Sequence, residues 1–285
     1  KKILIFGSTG QIGRHLIRKL TKNYYKVTCQ TRNSHRAVFL KTCGPIGYIE
    51  IVEANIFDRE RLTNLVSDAD ICINLIGILY EKGQNSFENI HIKFPDLLSN
   101  ICNENKTDLI HVSALGVEKA TDSLYAKSKI EGEKKIRSNF KNSVIIKPSI
   151  VYSVNDKFTT KFMSILSFLP VFPLYYNGST KFTPIHASDL SNLIFFIIKN
   201  EIKGQVIEAI GPEEINFRNI MVQICKSIKK KRLLIPLPLS FAKFSAYFFQ
   251  KLPKPIITLD QLKLLKYDNI GSKIIKSNFD IGCPS

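Results

Sequence analysis

The sequence predicts an α/β protein in which a doubly wound parallel sheet is joined to a smaller C-terminal lobe. Short runs rich in Ile, Leu and Val alternate with longer segments whose apolar residues recur at helical spacing. The short runs are almost wholly apolar, as expected of parallel strands that helices cover on both faces. After Pro148 the alternation gives way to a region rich in proline and aromatic residues, which marks the approach to the second lobe.

The N-terminal part divides into strands and intervening helices. The apolar runs predict strands at 3–6, 26–30, 49–53, 71–75, 109–113 and 144–147. The helical patterns predict helices at 11–22, 58–67, 88–104 and 123–138. Further along, the same reasoning predicts a helix around 188–200, a strand near 205–210, and helices near 216–230, 239–251 and 258–267. We therefore expect a sheet domain at 1–155, completed by about 182–210, and a smaller substrate or partner lobe at 156–181 and 211–285.

The composition is that of an ordinary globular chain with a large excess of positive charge. Its 285 residues are 44% hydrophobic and 23% charged, which allows a sizeable core and excludes a disordered or collagen-like chain. The net charge of +17 favours polyanionic partners such as nucleotide phosphates or an anionic membrane surface, although biased base composition in the gene could explain part of it. Nucleic acid is the least favoured partner because no nucleic-acid-binding motif is present.

The cysteine spacing and the lengths of the apolar stretches indicate the cellular compartment. The six cysteines form no Cys-x-x-Cys pair, which argues against a metal site or a disulfide framework and fits a reducing environment. The first apolar run is too short for a signal peptide. The longest uncharged stretch, 162–180, is interrupted by Pro170 and Pro173 and is a poor spanning helix. We therefore expect a cytoplasmic protein.

A glycine-rich turn directly after the first predicted strand is the strongest local signal. Its sequence Gly7-Ser8-Thr9-Gly10-Gln11-Ile12-Gly13 has GxxGxxG spacing and opens the first predicted helix. Glycine permits the tight turn and lets backbone N–H groups approach a pyrophosphate at the helix N-terminus. The motif thus predicts a Rossmann-type NAD(P)-binding domain. The cofactor-binding residues expected from it are Gly7, Thr9, Gly10, Gln11, Ile12 and Gly13.

The end of the second predicted strand indicates which dinucleotide is preferred. A site for NAD usually places Asp or Glu here, against the ribose 2′-hydroxyl, and the sequence has neither. Arg32, with Ser34 and Arg36 close by, instead suits a 2′-phosphate because a guanidinium group forms charge-assisted hydrogen bonds with it. We expect NADP(H) to be preferred over NAD(H), the alternative being a solvated surface arginine.

Four further segments give the chain its resemblance to a known family. They are Asn55-Ile56-Phe57-Asp58, Asn74-Leu75-Ile76-Gly77, His111-Val112-Ser113 and Tyr125-Ala126-Lys127-Ser128-Lys129. With these and the glycine turn, the chain resembles an extended or atypical short-chain dehydrogenase/reductase over its whole length. The resemblance implies that Asn55 and Ile56 flank the adenine and that Leu75, Ile76 and Gly77 line the ribose and diphosphate. It also implies that Pro148 and Ile150 approach the nicotinamide.

The same resemblance implies a catalytic set of Tyr125, Lys129 and Ser113. In active members the tyrosine transfers the substrate proton, the lysine lowers the tyrosine pKa and binds the nicotinamide ribose, and a hydroxyl polarises the substrate oxygen. The hydroxyl normally falls one position later, where this chain has Ala114. Two possibilities stay open: Ser113 substitutes after a small shift, or the site binds nucleotide without efficient turnover.

Segments in the C-terminal half indicate which members of this family the chain resembles. Gly211-Pro212-Glu213-Glu214, Pro236-Leu237-Pro238 and Thr258-Leu259-Asp260-Gln261 resemble the bacterial relatives of the NAD(P)H-binding accessory subunit (alpha subcomplex subunit nine) of respiratory complex I. This implies an NADP(H)-binding accessory or assembly protein that contacts complex I subunits, or a role in quinone metabolism. The alternative is a working oxidoreductase or epimerase on a sugar-nucleotide, isoprenoid or quinone-like substrate.

A cationic segment near the end of the chain suggests contact with an anionic membrane. It comprises Lys226, Lys229, Lys230, Lys231 and Arg232. The predicted helix 239–251 that follows is rich in phenylalanine, so lysines could attract headgroups while aromatic side chains enter the interface. The expected place is the cytoplasmic face of the inner membrane, or the matrix side in an organelle. The alternative is a helix packed in the smaller lobe beside a solvated lysine run.

Overall fold

Within the described residues 1–154, 156–237 and 258–283 of the computed structural model, seven parallel strands form one central sheet. The strands of the chain are β1 (Lys2–Phe6), β2 (Lys26–Thr31), β3 (Ile49–Glu53), β4 (Ile71–Asn74), β5 (Asp108–Val112), β6 (Val144–Pro148), β7 (Val151–Tyr152), β8 (Val171–Leu174), β9 (Lys181–Phe182), β10 (Ile185–His186), β11 (Val206–Ala209), β12 (Ile215–Asn216) and β13 (Leu233–Pro236). The sheet order is β11-β6-β5-β4-β1-β2-β3. This order confirms the predicted Rossmann-type, doubly wound α/β fold.

Most helices lie close to where the sequence predicts them, whereas α5 falls in the proline- and aromatic-rich region where no helix was predicted. They are α1 (Gln11–Lys22), α2 (Arg59–Ser67), α3 (Phe94–Asn105), α4 (Leu124–Asn139), α5 (Lys157–Phe168), α6 (Ala187–Lys199), α7 (Phe217–Ser227) and α8 (Leu259–Leu264). The predicted helix 88–104 begins as a π-helical turn, Glu88–Lys93, and two 3₁₀ segments occupy His35–Cys43 and Tyr175–Gly178. The predicted helix 239–251 lies outside the described residues. Across the described ranges, no helix is long and apolar enough to cross a membrane.

Alternate residues of the central strands β1, β4, β5 and β6 enter two separate cores. Ile3 and Ile5 of β1 join a buried cluster that includes residues of α1 and α6. Leu4 and Phe6 join the opposite cluster, which includes residues of α2, α3 and α4. Because side chains alternate along a strand, a nearly continuous apolar run is what a sheet covered on both faces requires.

The strand order reverses next to β1, where a ligand crevice is expected. The chain runs from β1 outward to β3 on one side and then returns to β4 on the other side of β1. Consequently the turn after β1 and the segment after β4 stand side by side at the carboxyl ends of the strands. In doubly wound sheets this switch point is where ligands bind.

Helix α4 packs unusually close to the π-helical turn. A Cβ at Gly132 would lie 1.9 Å from the carbonyl oxygen of His91, which is far inside van der Waals contact. The start of the helix is fixed by Ser123, whose side chain accepts the N–H of Ala126 at 3.2 Å. A glycine at 132 therefore sets how near α4 approaches the crevice.

We expect Gly132→Ala to destabilise the protein, because the added methyl group must push two backbones apart. The free energy of unfolding in urea should fall by at least about 2 kcal/mol. Lys135→Ala, an exposed position on the same helix, is the matched control and should change it by less than about 0.5 kcal/mol. Equal stability of the two variants would contradict the close packing.

Candidate nucleotide-binding site

The turn after β1 has a backbone that requires glycine at two positions. Gly7 has φ of +81°, in the left-handed region that disfavours other residues. A Cβ at Gly13 would lie 2.4 Å from the carbonyl oxygen of Ser8. Thr9 and Gly10 are exposed, and Gly10 is the N-cap of α1. The N-cap of α1 is thus open to solvent, and a helix N-terminus of this kind is where a pyrophosphate can meet unpaired N–H groups.

The side chains of this turn are less available for contact with a ligand than its backbone is. The Gln11 amide donates to the carbonyl oxygen of Val151 at 3.1 Å, which ties the turn to β7. Ile12 is half-buried and packs against the core between α1 and the sheet. For the predicted residues Gln11 and Ile12, contact with a nucleotide would therefore be made mainly by the main chain.

The segment after β4 runs directly beside the glycine turn. A Cβ at Gly7 would be 3.1 Å from the carbonyl carbon of Leu75. The N–H of Leu75 donates to Phe6, and the N–H of Ile76 donates to the side chain of Asn74, each at 3.0 Å. Gly77 follows as an exposed residue. The structure therefore brings together the turn and the residues expected to line the ribose and diphosphate.

The Lys129 ammonium group is buried with few partners. Its residue is 4% exposed, and a Cβ at Gly77 would lie 3.4 Å from its Nζ atom. In the described ranges, Nζ has one hydrogen-bond acceptor, the carbonyl oxygen of Val112 at 3.4 Å, whereas an ammonium carries three donors. Burial lowers the pKa of Lys129 to about 8, against the opposing effect of Glu133. A ligand with hydroxyl acceptors beside Gly77 would satisfy it, so the residues present fit a nicotinamide ribose.

Tyr125 precedes Lys129 by about one turn of α4, and its pKa is raised rather than lowered. Its ring makes edge contacts with Phe87 and His91, with centroids 5.9 and 5.3 Å away. Burial, and then the charge of Glu133, raise the pKa of Tyr125 above its ordinary value. The expectation from the sequence is a lowered pKa, and burial acts in the opposite direction.

Ser113 belongs to a buried charged cluster that the sequence analysis did not identify. Its hydroxyl donates to the carboxylate of Glu133, whose other oxygen lies 2.8 Å from Nζ of Lys147. Lys147 also contacts Glu118, and these two carboxylates raise the pKa of Lys147 although burial opposes them. A hydroxyl has one proton, so Ser113 as placed here has none left for a substrate oxygen. The spacing Tyr125, Lys129, Glu133 was the available signal, since it follows one helix face.

The residues expected near a 2′-phosphate are only partly available. Arg32 is exposed, with Nη1 3.4 Å from the side-chain oxygen of Asn85. Ser34 donates both its N–H, at 2.8 Å, and its hydroxyl, at 2.9 Å, to Glu53. Arg36 is also exposed. Arg32 and Arg36 are therefore accessible to a phosphate, whereas the donors of Ser34 are already bonded to Glu53.

The remaining predicted contacts lie at the two ends of the crevice. Asn55 is exposed, and its side-chain oxygen accepts the N–H of Phe57 at 3.0 Å. Ile56 is 8% exposed and belongs to the core on the α3 side. Pro148 is buried at the end of β6, and Ile150 packs against the apolar cluster formed largely by α7 and β8. Only Asn55 of these four is widely open to solvent.

The segment 258–267 closes onto the same region. The Asp260 carboxylate accepts the hydroxyl of Ser123 at 2.8 Å and the N–H groups of Leu124 and Tyr125 at 2.7 and 3.0 Å. The Gln261 amide donates to the carbonyl oxygen of Leu79 at 3.3 Å. The sequence singled out Thr258-Leu259-Asp260-Gln261 without assigning a role. The structure shows that its Asp caps α4 and that its Gln holds the segment after β4.

Side chains from this C-terminal segment also pack near Tyr125. Leu264 and Tyr267 contact the buried cluster of Val117, Ala120 and Ala126, and so do Ala114 and Tyr125. The region beside the tyrosine is therefore lined by the chain's own apolar groups.

Comparison with known proteins agrees with this geometry. The family described as RmlD substrate binding domain matches residues 1–216. Subunit 9 of the NADH dehydrogenase [ubiquinone] 1 alpha subcomplex, mitochondrial, from Dictyostelium discoideum is 30% identical over 243 residues, covering 84% of this chain and 68% of the relative. The mitochondrial NADH-ubiquinone oxidoreductase 40 kDa subunit of Neurospora crassa is 24% identical over 282 residues, covering 98% of this chain and 74% of the relative.

A solved structure shows the same fold. DesIV, a dTDP-glucose 4,6-dehydratase from Streptomyces venezuelae, superposes with a TM-score of 0.73 at 16% identity, covering 100% of this chain and 92% of that one. At this identity the likeness concerns the fold alone. Together with the matches in sequence, it confirms the resemblance to an atypical short-chain dehydrogenase/reductase. The chain belongs to the RmlD substrate binding domain family and is a relative of the alpha subcomplex subunit 9 proteins.

Proposed function

We propose that the protein binds NADP(H) and serves as an accessory or assembly factor of respiratory complex I, or in quinone metabolism. The observation that carries the nucleotide part is the ammonium of Lys129, which is buried with few hydrogen bonds. It faces Gly77, which follows β4, the strand beside the one that leads into the glycine turn. The complex I part is supported by relatives whose names place them in NADH dehydrogenase. The neighbour DesIV is described with NAD bound, which supports a nicotinamide nucleotide.

Each part of the nucleotide has a set of residues that would hold it. The main chain of 7–13 would hold the diphosphate, with 75–77 and Lys129 at the nicotinamide ribose. Asn55 and Ile56 would contact the adenine, Pro148 and Ile150 the nicotinamide, and Arg32 the 2′-phosphate. When bound, such a nucleotide supplies hydride-transfer chemistry. The chain's own residues would bind and orient it, and Lys129 would donate to its ribose hydroxyls.

The groups around Tyr125 favour binding over turnover. Ser113 has committed its proton to Glu133, and Ala114 carries no hydroxyl. The raised pKa of Tyr125 moves it away from the range in which general acid–base catalysis is efficient. We therefore place the oxidoreductase or epimerase alternative second. We further propose that residues 156–181 and 211–285 act as a lobe for partners rather than for a small substrate.

An apolar and cationic surface on this lobe supports a membrane contact. The exposed apolar side chains lie on α5, β8, β13 and the turn between α5 and β8, and they are Met163, Phe168, Leu169, Val171, Leu233 and Ile235. Phe168 is 83% exposed. The cationic segment adjoins them, since Lys230 donates to the carbonyl oxygen of Ser167 at 2.8 Å and Arg232 to that of Leu166 at 2.6 Å. We propose that this surface meets an anionic membrane beside complex I, on the cytoplasmic or matrix side.

Arg32→Glu should reverse the preference between the two dinucleotides. Repulsion between the new carboxylate and the 2′-phosphate should weaken NADPH binding at least about tenfold, whereas NADH binding should change little. Dissociation constants follow from titration of nucleotide fluorescence. Arg18→Glu, with the same charge change at an exposed position of α1 outside the proposed site, is the control. Unchanged selectivity in Arg32→Glu would contradict the role of that residue.

Tyr125→Phe should leave complex I assembly intact. The substitution removes the phenolic hydroxyl and keeps the ring contacts with Phe87 and His91, so an accessory role should survive it. Complex I content and activity in membranes of the cell of origin would be compared among the unmodified protein, this variant and a deletion. Deletion should lower assembled complex I. If Tyr125→Phe, present at normal levels, lowered it equally, the catalytic alternative would replace our proposal.

Reversing charge in the cationic segment should weaken binding to anionic vesicles. Lys226, Lys229 and Lys231 are exposed, and each lysine near such a surface contributes about 1 kcal/mol. Replacing all three with Glu should lower the partition coefficient at least about tenfold. The control replaces Lys119, Lys134 and Lys135, exposed lysines near α4, with Glu. Binding that ignores lipid charge and salt, or equal losses in both triple variants, would overturn the assignment of this surface.

A further inference from the structure

A buried histidine connects the segment after β4 to helix α4. His91 is 2% exposed and lies in the π-helical turn. Its Nε2 atom accepts the N–H of Ile78 at 3.1 Å. Its Nδ1 atom lies 2.9 Å from the hydroxyl oxygen of Ser128, which in turn donates to the carbonyl oxygen of Tyr125 at 2.7 Å. One ring thus joins the loop that carries Gly77 to the helical turn that carries Tyr125 and Lys129.

The partners of His91 allow a single tautomer. A backbone N–H can only donate, so Nε2 must be unprotonated to accept from Ile78. The Ser128 hydroxyl uses its one proton on the Tyr125 carbonyl, so its oxygen accepts the proton on Nδ1. Burial, and then the charge of Lys129, lower the pKa of His91 to about 2, which keeps the ring neutral. His91 is therefore held as the neutral Nδ1–H form.

Packing holds the ring in addition to its hydrogen bonds. Phe87 stacks on it with centroids 5.4 Å apart and planes 19° apart, and Tyr125 makes an edge contact on another side. The backbone of His91 lies so close to α4 that a Cβ added at Gly132 would be 1.9 Å from the His91 carbonyl oxygen. A π-helical turn redirects side chains relative to a regular helix and often occurs at functional sites. Here it directs His91 to the gap between α4 and the β4 loop.

We propose that His91 is a positioning residue that holds residues 75–78 and α4 in fixed relation, so that Gly77 and the Lys129 ammonium face the same nicotinamide ribose. This inference rests on the proposed nucleotide binding. It assigns to His91 no contact with the nucleotide itself. Loss of the ring's hydrogen bonds should therefore loosen the nicotinamide half of the site and spare the adenine half.

The first test compares a whole nucleotide with its adenine half. His91→Phe keeps an aromatic ring in the packing and removes both hydrogen bonds, and His91→Gln keeps an acceptor for the N–H of Ile78. In the full-length protein, His91→Phe should weaken NADPH binding about ten- to a hundredfold, because a buried N–H loses its partner. Binding of adenosine 2′,5′-bisphosphate should stay within about twofold, because its contacts lie at the other end of the crevice.

His91→Gln should fall between the unmodified protein and His91→Phe. Equal losses for both ligands in a variant with an unchanged melting temperature would show a general structural role and overturn the proposal. Unchanged NADPH affinity in both variants would also overturn it.

The second test needs no ligand and uses the unmodified protein. It therefore remains decisive if the His91 variants fail to fold. ¹⁵N NMR of the unmodified protein should show His91 with a protonated Nδ1, an unprotonated Nε2 and no titration between pH 5.5 and about 8. A protonated Nε2, or titration in this range, would overturn the positioning role even if NADPH binds. Conversely, an unmodified protein with the expected tautomer that binds neither NADPH nor NADH would overturn the proposed function, and the positioning role with it.

Discussion

The buried ammonium of Lys129 sets the electrostatics of the candidate site. Removing an ammonium from water costs free energy unless acceptors replace the solvent. Among the described residues, Nζ of Lys129 donates one long hydrogen bond, to the carbonyl oxygen of Val112. Its positive charge helps to keep His91 and His111 neutral, because both lie close to it and both are buried. The same burial lowers its own pKa to about 8. A ligand that brings hydroxyl acceptors to Nζ would relieve this cost, which is why the pattern favours a bound ribose.

The charged cluster behind Lys129 explains why Ser113 and Tyr125 do not have the arrangement that the resemblance to a reductase implies. Glu133 carries a negative charge into the region, but it is shared between the Ser113 hydroxyl and the Lys147 ammonium. A buried ion pair of this kind is costly to form and costly to break, so it fixes the ends of β5 and β6 against α4. The rigidity suits a binding site. It also removes the donor that a substrate carbonyl would need, and the negative charge opposes ionisation of Tyr125.

The local sequence pattern was sufficient to predict the sheet and the glycine turn. It was insufficient to predict the contacts that complete the site. The strands are apolar runs, and the turn needs only neighbouring residues to reveal it. The hydrogen bond that the Tyr125 N–H donates to Asp260 and the one between His91 and Ser128 span 135 and 37 residues, so no local sequence pattern predicts them. The π-helical turn is hidden because its residues continue a helical pattern. Ser34 looked free for a phosphate because its partner, Glu53, comes from the neighbouring strand.

The C-terminal segment would make the proposed nucleotide site and the proposed partner lobe mechanically dependent on each other. Asp260 satisfies N–H groups at the start of the helix that carries Tyr125 and Lys129, and Gln261 holds the loop beyond Gly77. Both walls of the proposed nicotinamide pocket are thus anchored to one short stretch of chain. If the proposed function is correct, a nucleotide that pulls Lys129 and Gly77 together also favours the docked position of α8. An accessory protein would then have a physical reason to retain a nucleotide site without turnover, because the bound nucleotide stabilises the surface that its partners meet.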